Sequence, residues 1–141
     1  MDITSPQNPR VKHIVKLRED KRQRQRDGLM LVEGWGELTL ALACGFVPQT
    51  LLTAPELAEA HQIEGISAET ITVSRHVFEK ISYRENPDGW LGIFPIPHAT
   101  LDGLKLSQVP LVIVAESVEK PGNLGAILRT ADAAGVDALL V

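Results

Sequence analysis

LVIVAESVEKPGNLGAILRTADAAGVDALLV, residues 111–141, decides the fold class. An apolar run from Leu111 to Ala115 is followed by a loop containing Pro121-Gly122. A helix opened by Asn123 and carrying Arg129 comes next, and a second apolar run ends at Val141. That order is a β-loop-α-β unit, the opening of a parallel α/β domain. A parallel sheet needs further strands and helices to cover it, and residues 111–141 supply none. The expectation is a domain begun and not finished, whose two buried-type strands have open edges.

Working backwards, Pro95-Ile96-Pro97-His98 breaks the pattern before this unit. Two prolines two residues apart stiffen a chain, so residues 96–109 read as a linker. Residues 10–95 then alternate helix and strand. Asn8-Pro9 caps and opens a helix. Leu29 to Val32 reads as a strand ended by Glu33-Gly34. Glu37 to Cys44 is a helix with Leu38, Leu42 and Ala41 inward, stopped by Gly45. Pro48–Thr53 is a strand and Pro55–His61 a short helix. Thr70–Val73 is a strand of β-branched residues, and Arg75–Ile81 a helix. Asn86-Pro87-Asp88-Gly89 is a turn before a last strand, Trp90–Phe94. The fold class is α/β. A small α/β domain spans 1–95, a linker 96–109, and a β-α-β start of a second domain 110–141.

Composition bounds the function. The apolar share is 44%, and no segment approaches the roughly 18 uninterrupted apolar residues of a membrane span. The N-terminus, MDITSPQNPRVK, has no apolar core of a signal peptide. Cys44 is the sole cysteine, which excludes an internal disulfide and a Cys-rich zinc site. A cytoplasmic setting is expected, with Cys44 buried as a small apolar residue. His13, His61, His76 and His98 lack metal-ligand spacing, so no metal is expected.

The net charge of −4 hides an asymmetry. Residues 1–28 hold eight basic and four acidic side chains, and the remainder six and fourteen, giving +4 against −8. A basic arm on an acidic body can hold a polyanion while the body repels it elsewhere. Val11, Ile14, Val15 and Leu17 form an apolar stripe at helical spacing. From Arg18 to Asp27 every residue is polar or charged, so that half of the helix is expected to project into solvent or onto a partner. The candidate phosphate contacts are Arg10, Lys12, Lys16, Arg18, Arg22 and Arg24. A solvated helix of mixed charge is the plain alternative.

At roughly 100° per residue, Leu124, Ile127, Leu128, Ala131 and Ala134 share the half of the last helix that faces the sheet. Arg129 falls opposite, with Gly125 one turn before it. Asn123 stands at the helix mouth, where N–H groups and the dipole favour an anion. Asn123, Gly125 and Arg129 thus form a polar edge outside the core. An ordinary Asn cap plus a surface arginine is the competing reading.

Asn123-Leu124-Gly125-Ala126-Ile127-Leu128-Arg129, following a strand and Glu119-Lys120-Pro121-Gly122, resembles the first motif of the SpoU (TrmH) class of SPOUT RNA 2′-O-methyltransferases. Ser5, Asn8-Pro9, Lys12, Arg24 and LMLVEGWGELTLAL (29–42) resemble that family's ribosomal-protein-like substrate-binding domain. The Asn86–Gly89 turn and Trp90-Leu91-Gly92-Ile93 match its last strand. The likeness runs in family order through nearly the whole chain. It implies methyl transfer from S-adenosylmethionine to a ribose 2′-hydroxyl of rRNA or tRNA. Arg129 would act at that hydroxyl and Asn123 would help hold the site. It also implies a trefoil-knotted catalytic domain that forms a homodimer, with the active site drawn from both subunits. The family's second and third motifs, which bind the cofactor, fall beyond Val141, so no residue here is assigned to the S-adenosylmethionine pocket. The 141 residues are expected to bind RNA and not to methylate alone. A non-catalytic RNA-binding module and a protein-interaction domain with a basic handle are the alternatives. Trp35 is bulkier than the family's pattern suggests at its turn.

Overall fold

The computed structural model describes residues 2–58 and 67–141. The chain divides into two compact units, residues 1–97 and 98–141.

In the first unit the described strands are β1 (Asp2–Ile3), β2 (Leu29–Glu33), β3 (Thr50–Thr53), β4 (Glu69–Val73) and β5 (Trp90–Pro95). They form one sheet in the order β1-β4-β3-β5-β2. β1, β4 and β3 are parallel, and β5 runs antiparallel to both β3 and β2. The helices are α1 (Pro9–Glu19), α2 (Lys21–Asp27), α3 (Trp35–Ala43) and α4 (Arg75–Ile81).

Side-chain alternation sorts the strand residues into two layers. Leu52, Leu91 and Ile93 pack with Val11, Ile14 and Leu17 of α1 and Val77, Phe78 and Ile81 of α4. Leu51, Trp90 and Phe94 point the other way and pack with Leu38 of α3. Gly92, between Leu91 and Ile93, faces this second layer. A Cβ there would sit 2.5 Å from Phe94 Cε2 and 2.8 Å from Leu38 Cδ1. Gly92→Ala is therefore expected to overpack the layer and destabilise the chain by about 1–3 kcal/mol. A urea midpoint equal to wild type would contradict that packing.

The expected elements recur with four differences. First, the polar half of the N-terminal helix does not simply project. The chain breaks at Asp20, whose backbone is extended (φ −115°, ψ 112°). Its N–H donates to the Lys16 carbonyl and its carboxylate accepts from the Arg22 N–H, so one residue ends α1 and caps α2. Second, Asp2–Ile3 is a strand paired with Thr72–Val73, an element the sequence pattern does not announce. Third, Pro55 to Leu57 form turns closed on the Ala54 carbonyl by Leu57 and Ala58. The rest of the helix expected at 55–61 lies outside the described residues. Fourth, Cys44 is exposed, not buried. It caps the end of α3 beyond the turn that carries Leu38 inward. Among the described residues no helix is long and apolar enough to cross a membrane.

The second unit holds a 3₁₀ turn (Leu101–Gly103), β6 (Val112–Val114), α5 (Pro121–Ala133) and β7 (Ala138–Leu140). β6 and β7 pair in parallel, Val112 to Ala138 through Val114 to Leu140. Asp137 fastens the entry to β6. Its carboxylate accepts from Leu111 N–H and Ser107 N–H, both at 2.8 Å, and from the Ser107 hydroxyl at 3.2 Å. These bonds, the one from Leu111 foremost, hold its pKa below the ordinary aspartate range. A depressed carboxylate stabilises the fold above its unfolded pKa, and that contribution is lost as pH falls through the folded value.

The burial expected here is only partly seen. Ala131 is buried and Leu124 and Ile127 are half-buried, but Leu128 is 49% exposed and Ala134 is exposed. Val112 and Val114 are exposed as well. A two-stranded sheet is too narrow to cover a 13-residue helix. An apolar cavity of about 440 Å³ opens between Leu111 and Ile113 on one side and Ile127, Ala131 and Ala134 on the other.

Candidate functional site

Two groups of candidate residues lie in the two units. In the first, α1 turns Val11, Ile14 and Leu17 into the core, which places Lys12 and Lys16, one helical turn apart, on the solvent face. Both are exposed and neither ammonium group has a hydrogen-bond or ion-pair partner among the described residues. Arg22, in the first turn of α2, is likewise exposed with a free guanidinium among the described residues.

The other three predicted phosphate contacts are engaged within the fold. Arg10 forms a 2.6 Å ion pair with Glu69 at the rim of a cavity of about 190 Å³ floored by Ile14, Ile71 and Ile93. Arg18 donates to the carbonyls of Lys80 (2.7 Å) and Ser82 (2.8 Å) and to Glu19. Arg24 donates to the carbonyls of Leu17 (2.7 Å) and Arg18 (3.0 Å), satisfying the end of α1. Asp27 closes the pair of helices by meeting His13 Nε2 at 2.7 Å and accepting from Gln23. The bond to His13, then that to Gln23, holds the Asp27 carboxyl below its usual range. α2 buries no residue of its own, so these polar ties are what position its charge.

In the second unit Arg129 is exposed on α5, and its guanidinium has no partner among the described residues. A Cβ added at Gly125 would lie 3.8 Å from Arg129 Nη1. The guanidinium thus folds back over the glycine with room to spare. Asn123 is exposed but does not open the helix. α5 starts at Pro121, with Lys120 as cap and no side-chain capping bond. Proline at the first helical position fixes that start. The Asn123 N–H is taken by the Lys120 carbonyl at 2.9 Å. The expected anion-binding mouth at Asn123 is therefore one turn too late in the sequence, and Asn123 sits inside the first turn. Glu116 and Glu119 are both exposed in the preceding loop.

Residues 8–92 match the MRM3-like substrate binding domain. The chain belongs to this family. An uncharacterized tRNA/rRNA methyltransferase of Synechocystis sp. is 36% identical over 97% of this chain and 51% of its own. A 23S rRNA guanosine 2′-O-methyltransferase of Bacillus subtilis is 29% identical over 99% of this chain and 53% of its own. Among solved structures, an RNA 2′-O ribose methyltransferase superposes with a TM-score of 0.83 at 37% identity, over 99% of this chain and 54% of the other. An AdoMet-bound rRNA methyltransferase from Sinorhizobium meliloti gives 0.82 at 30% identity, over 99% and 53%. The chain thus spans about half the length of these relatives.

Two surface residues escaped the sequence reading. Lys21 is exposed beside Arg22, and counting the charge run without weighting exposure hid it. Tyr83 is exposed at the far end of α1, and no periodicity announces it, because its partners are 50 and 65 residues away.

Proposed function

We propose that this chain is the substrate-binding half, with the opening β-α-β unit, of an S-adenosylmethionine-dependent RNA 2′-O-methyltransferase acting on rRNA or tRNA. The single observation that carries the catalytic part is Arg129. It is exposed, unpaired among the described residues and set over Gly125 on the outward face of α5. A guanidinium keeps its proton at neutral pH, so Arg129 is a poor general base. It suits gripping a phosphate and stabilising the alkoxide that develops on the ribose. Asn123, earlier on the same helix, helps hold the site.

In this reading residues 1–95, within the first unit, are the RNA-binding domain. Residues 96–109 link it to the catalytic start at 110–141. Lys12, Lys16 and Arg22 supply the free phosphate contacts. Arg10, Arg18 and Arg24 supply charge from positions that also secure the fold. Such contacts recognise a polyanion by charge and shape. The complete domain is a knotted homodimer in the cytoplasm, as the family resemblance implies.

The cofactor is not held by residues of this chain. The cavity in the second unit offers one hydroxyl, that of Thr130, and it already donates to the Ala126 carbonyl at 3.1 Å. An adenosyl sulfonium needs polar partners, which an apolar lining lacks. The 141 residues, mixed with S-adenosylmethionine and rRNA, are therefore expected to bind the RNA and transfer no methyl group. Labelled methyl appearing in the RNA would refute this division of labour. Absence of RNA binding would remove the substrate-binding reading.

A further inference from the structure

Tyr83 is 56% exposed, yet both its ends are pinned. Its backbone N–H donates to Glu33 Oε2 at 2.6 Å, and its phenol donates to the Arg18 carbonyl at 3.0 Å. The residue before it is fixed as well. Ser82 is buried, its hydroxyl donates to Glu33, and its carbonyl accepts from Arg18 Nη1 at 2.8 Å. Immobilising an exposed side chain costs rotamer entropy, and a phenol in water is solvated without help. The fold nonetheless holds this ring in one pose with much of its surface open.

The surroundings are cationic. Arg24 Nη1 and the Tyr83 hydroxyl converge on the same Arg18 carbonyl oxygen, each at 3.0 Å. The ring therefore stands at the junction of α1 and α2, beside the charge run. Two of the acids nearby are committed, Glu33 to Ser82 and Tyr83 and Glu19 to Arg18, while Glu85, two residues on, is exposed. A fixed, open aromatic ring next to a basic strip is the arrangement on which unpaired bases stack, while duplex bases, already stacked, gain nothing from it.

We infer that Tyr83 is a stacking platform for an unpaired base, which directs this domain to single-stranded or looped RNA. The inference rests on the RNA-binding reading above. Lysine and arginine contacts to phosphate do not single out unpaired bases, and the ring does.

The test is fluorescence anisotropy on the whole chain with a single-stranded oligoadenylate and a blunt RNA duplex of equal length. Tyr83→Ala and Tyr83→Leu are expected to lose about tenfold in affinity for the single strand. The loss on the duplex should stay within about twofold, with the salt slope unchanged because no phosphate contact is removed. Tyr83→Phe keeps the ring and should retain most of the affinity. Tyr83→Leu keeps bulk without a π-face, so the Leu–Phe pair isolates stacking from any loss of fold. Equal losses on both RNAs, equal losses in Leu and Phe, or no loss in Leu would overturn the platform. Wild type binding neither RNA would instead remove the RNA-binding reading on which it stands.

Discussion

Arg129→Ala, in an enzyme carrying the complete methyltransferase domain, is expected to lower kcat by about a hundred- to a thousandfold and leave RNA affinity within about twofold. The argument is one of position. The Arg129 guanidinium makes no hydrogen bond or ion pair with the described residues, so its removal takes nothing from the fold, and the helix gains a better helix former. It also lies in a different unit from the basic arm. A group that acts on charge developing in the transition state shows its loss in kcat, whereas one that holds substrate shows it in binding. Arg129→Lys should recover only part of the rate, since an ammonium lacks the planar fork. The check is single-turnover methyl transfer alongside a binding titration. Parallel loss of turnover and affinity would recast Arg129 as a binding residue.

The second large effect belongs to the arm. Changing Lys12, Lys16 and Arg22 together to alanine should weaken RNA binding and flatten its salt dependence. Each phosphate contact on a single strand contributes roughly 0.7 to the slope of log K against log salt, so three lost contacts remove about 2. Thermal stability should barely move, because all three side chains are exposed and free of partners among the described residues. Arg18→Ala and Arg24→Ala should behave otherwise. Their guanidiniums satisfy the carbonyls of Leu17, Arg18, Lys80 and Ser82, and unsatisfied carbonyls there cost stability. Salt slopes from filter binding and melting curves on the same variants separate the two groups. A triple variant with the wild-type slope would show that the RNA sits elsewhere.

What could be read from the sequence follows physical scale. Strong, local signals were legible. Asn8-Pro9 caps α1, with the Asn8 side chain accepting from Arg10 N–H at 2.9 Å. Arg75–Ile81 forms the expected helix, and the alternation in Trp90–Phe94 sorts residues between two layers. Signals set by distant partners were not legible. A two-residue strand such as Asp2–Ile3 has no period and exists because β4 offers a free edge. The break at Asp20 turns on one carboxylate choosing a local N–H over the helix. Asn123 drew the eye as a cap, and the proline two residues earlier had already started α5. The wheel for α5 named the inward half correctly at Ala131, but it presumed a full sheet below, and Leu128 stands exposed. The six basic candidates were found by charge alone. Only geometry divides them into free side chains and side chains that fasten α1, α2 and β4.

The central claim is that RNA lies along α1 and α2, with Tyr83 beside their junction. Photo-crosslinking of the intact chain to 4-thiouridine-substituted rRNA, with crosslinked peptides mapped by mass spectrometry, tests it most directly. The account places the crosslinks in the peptides that carry Lys12, Lys16 and Arg22. Crosslinks confined to peptides between Glu37 and Glu79, with none in the arm, would contradict it.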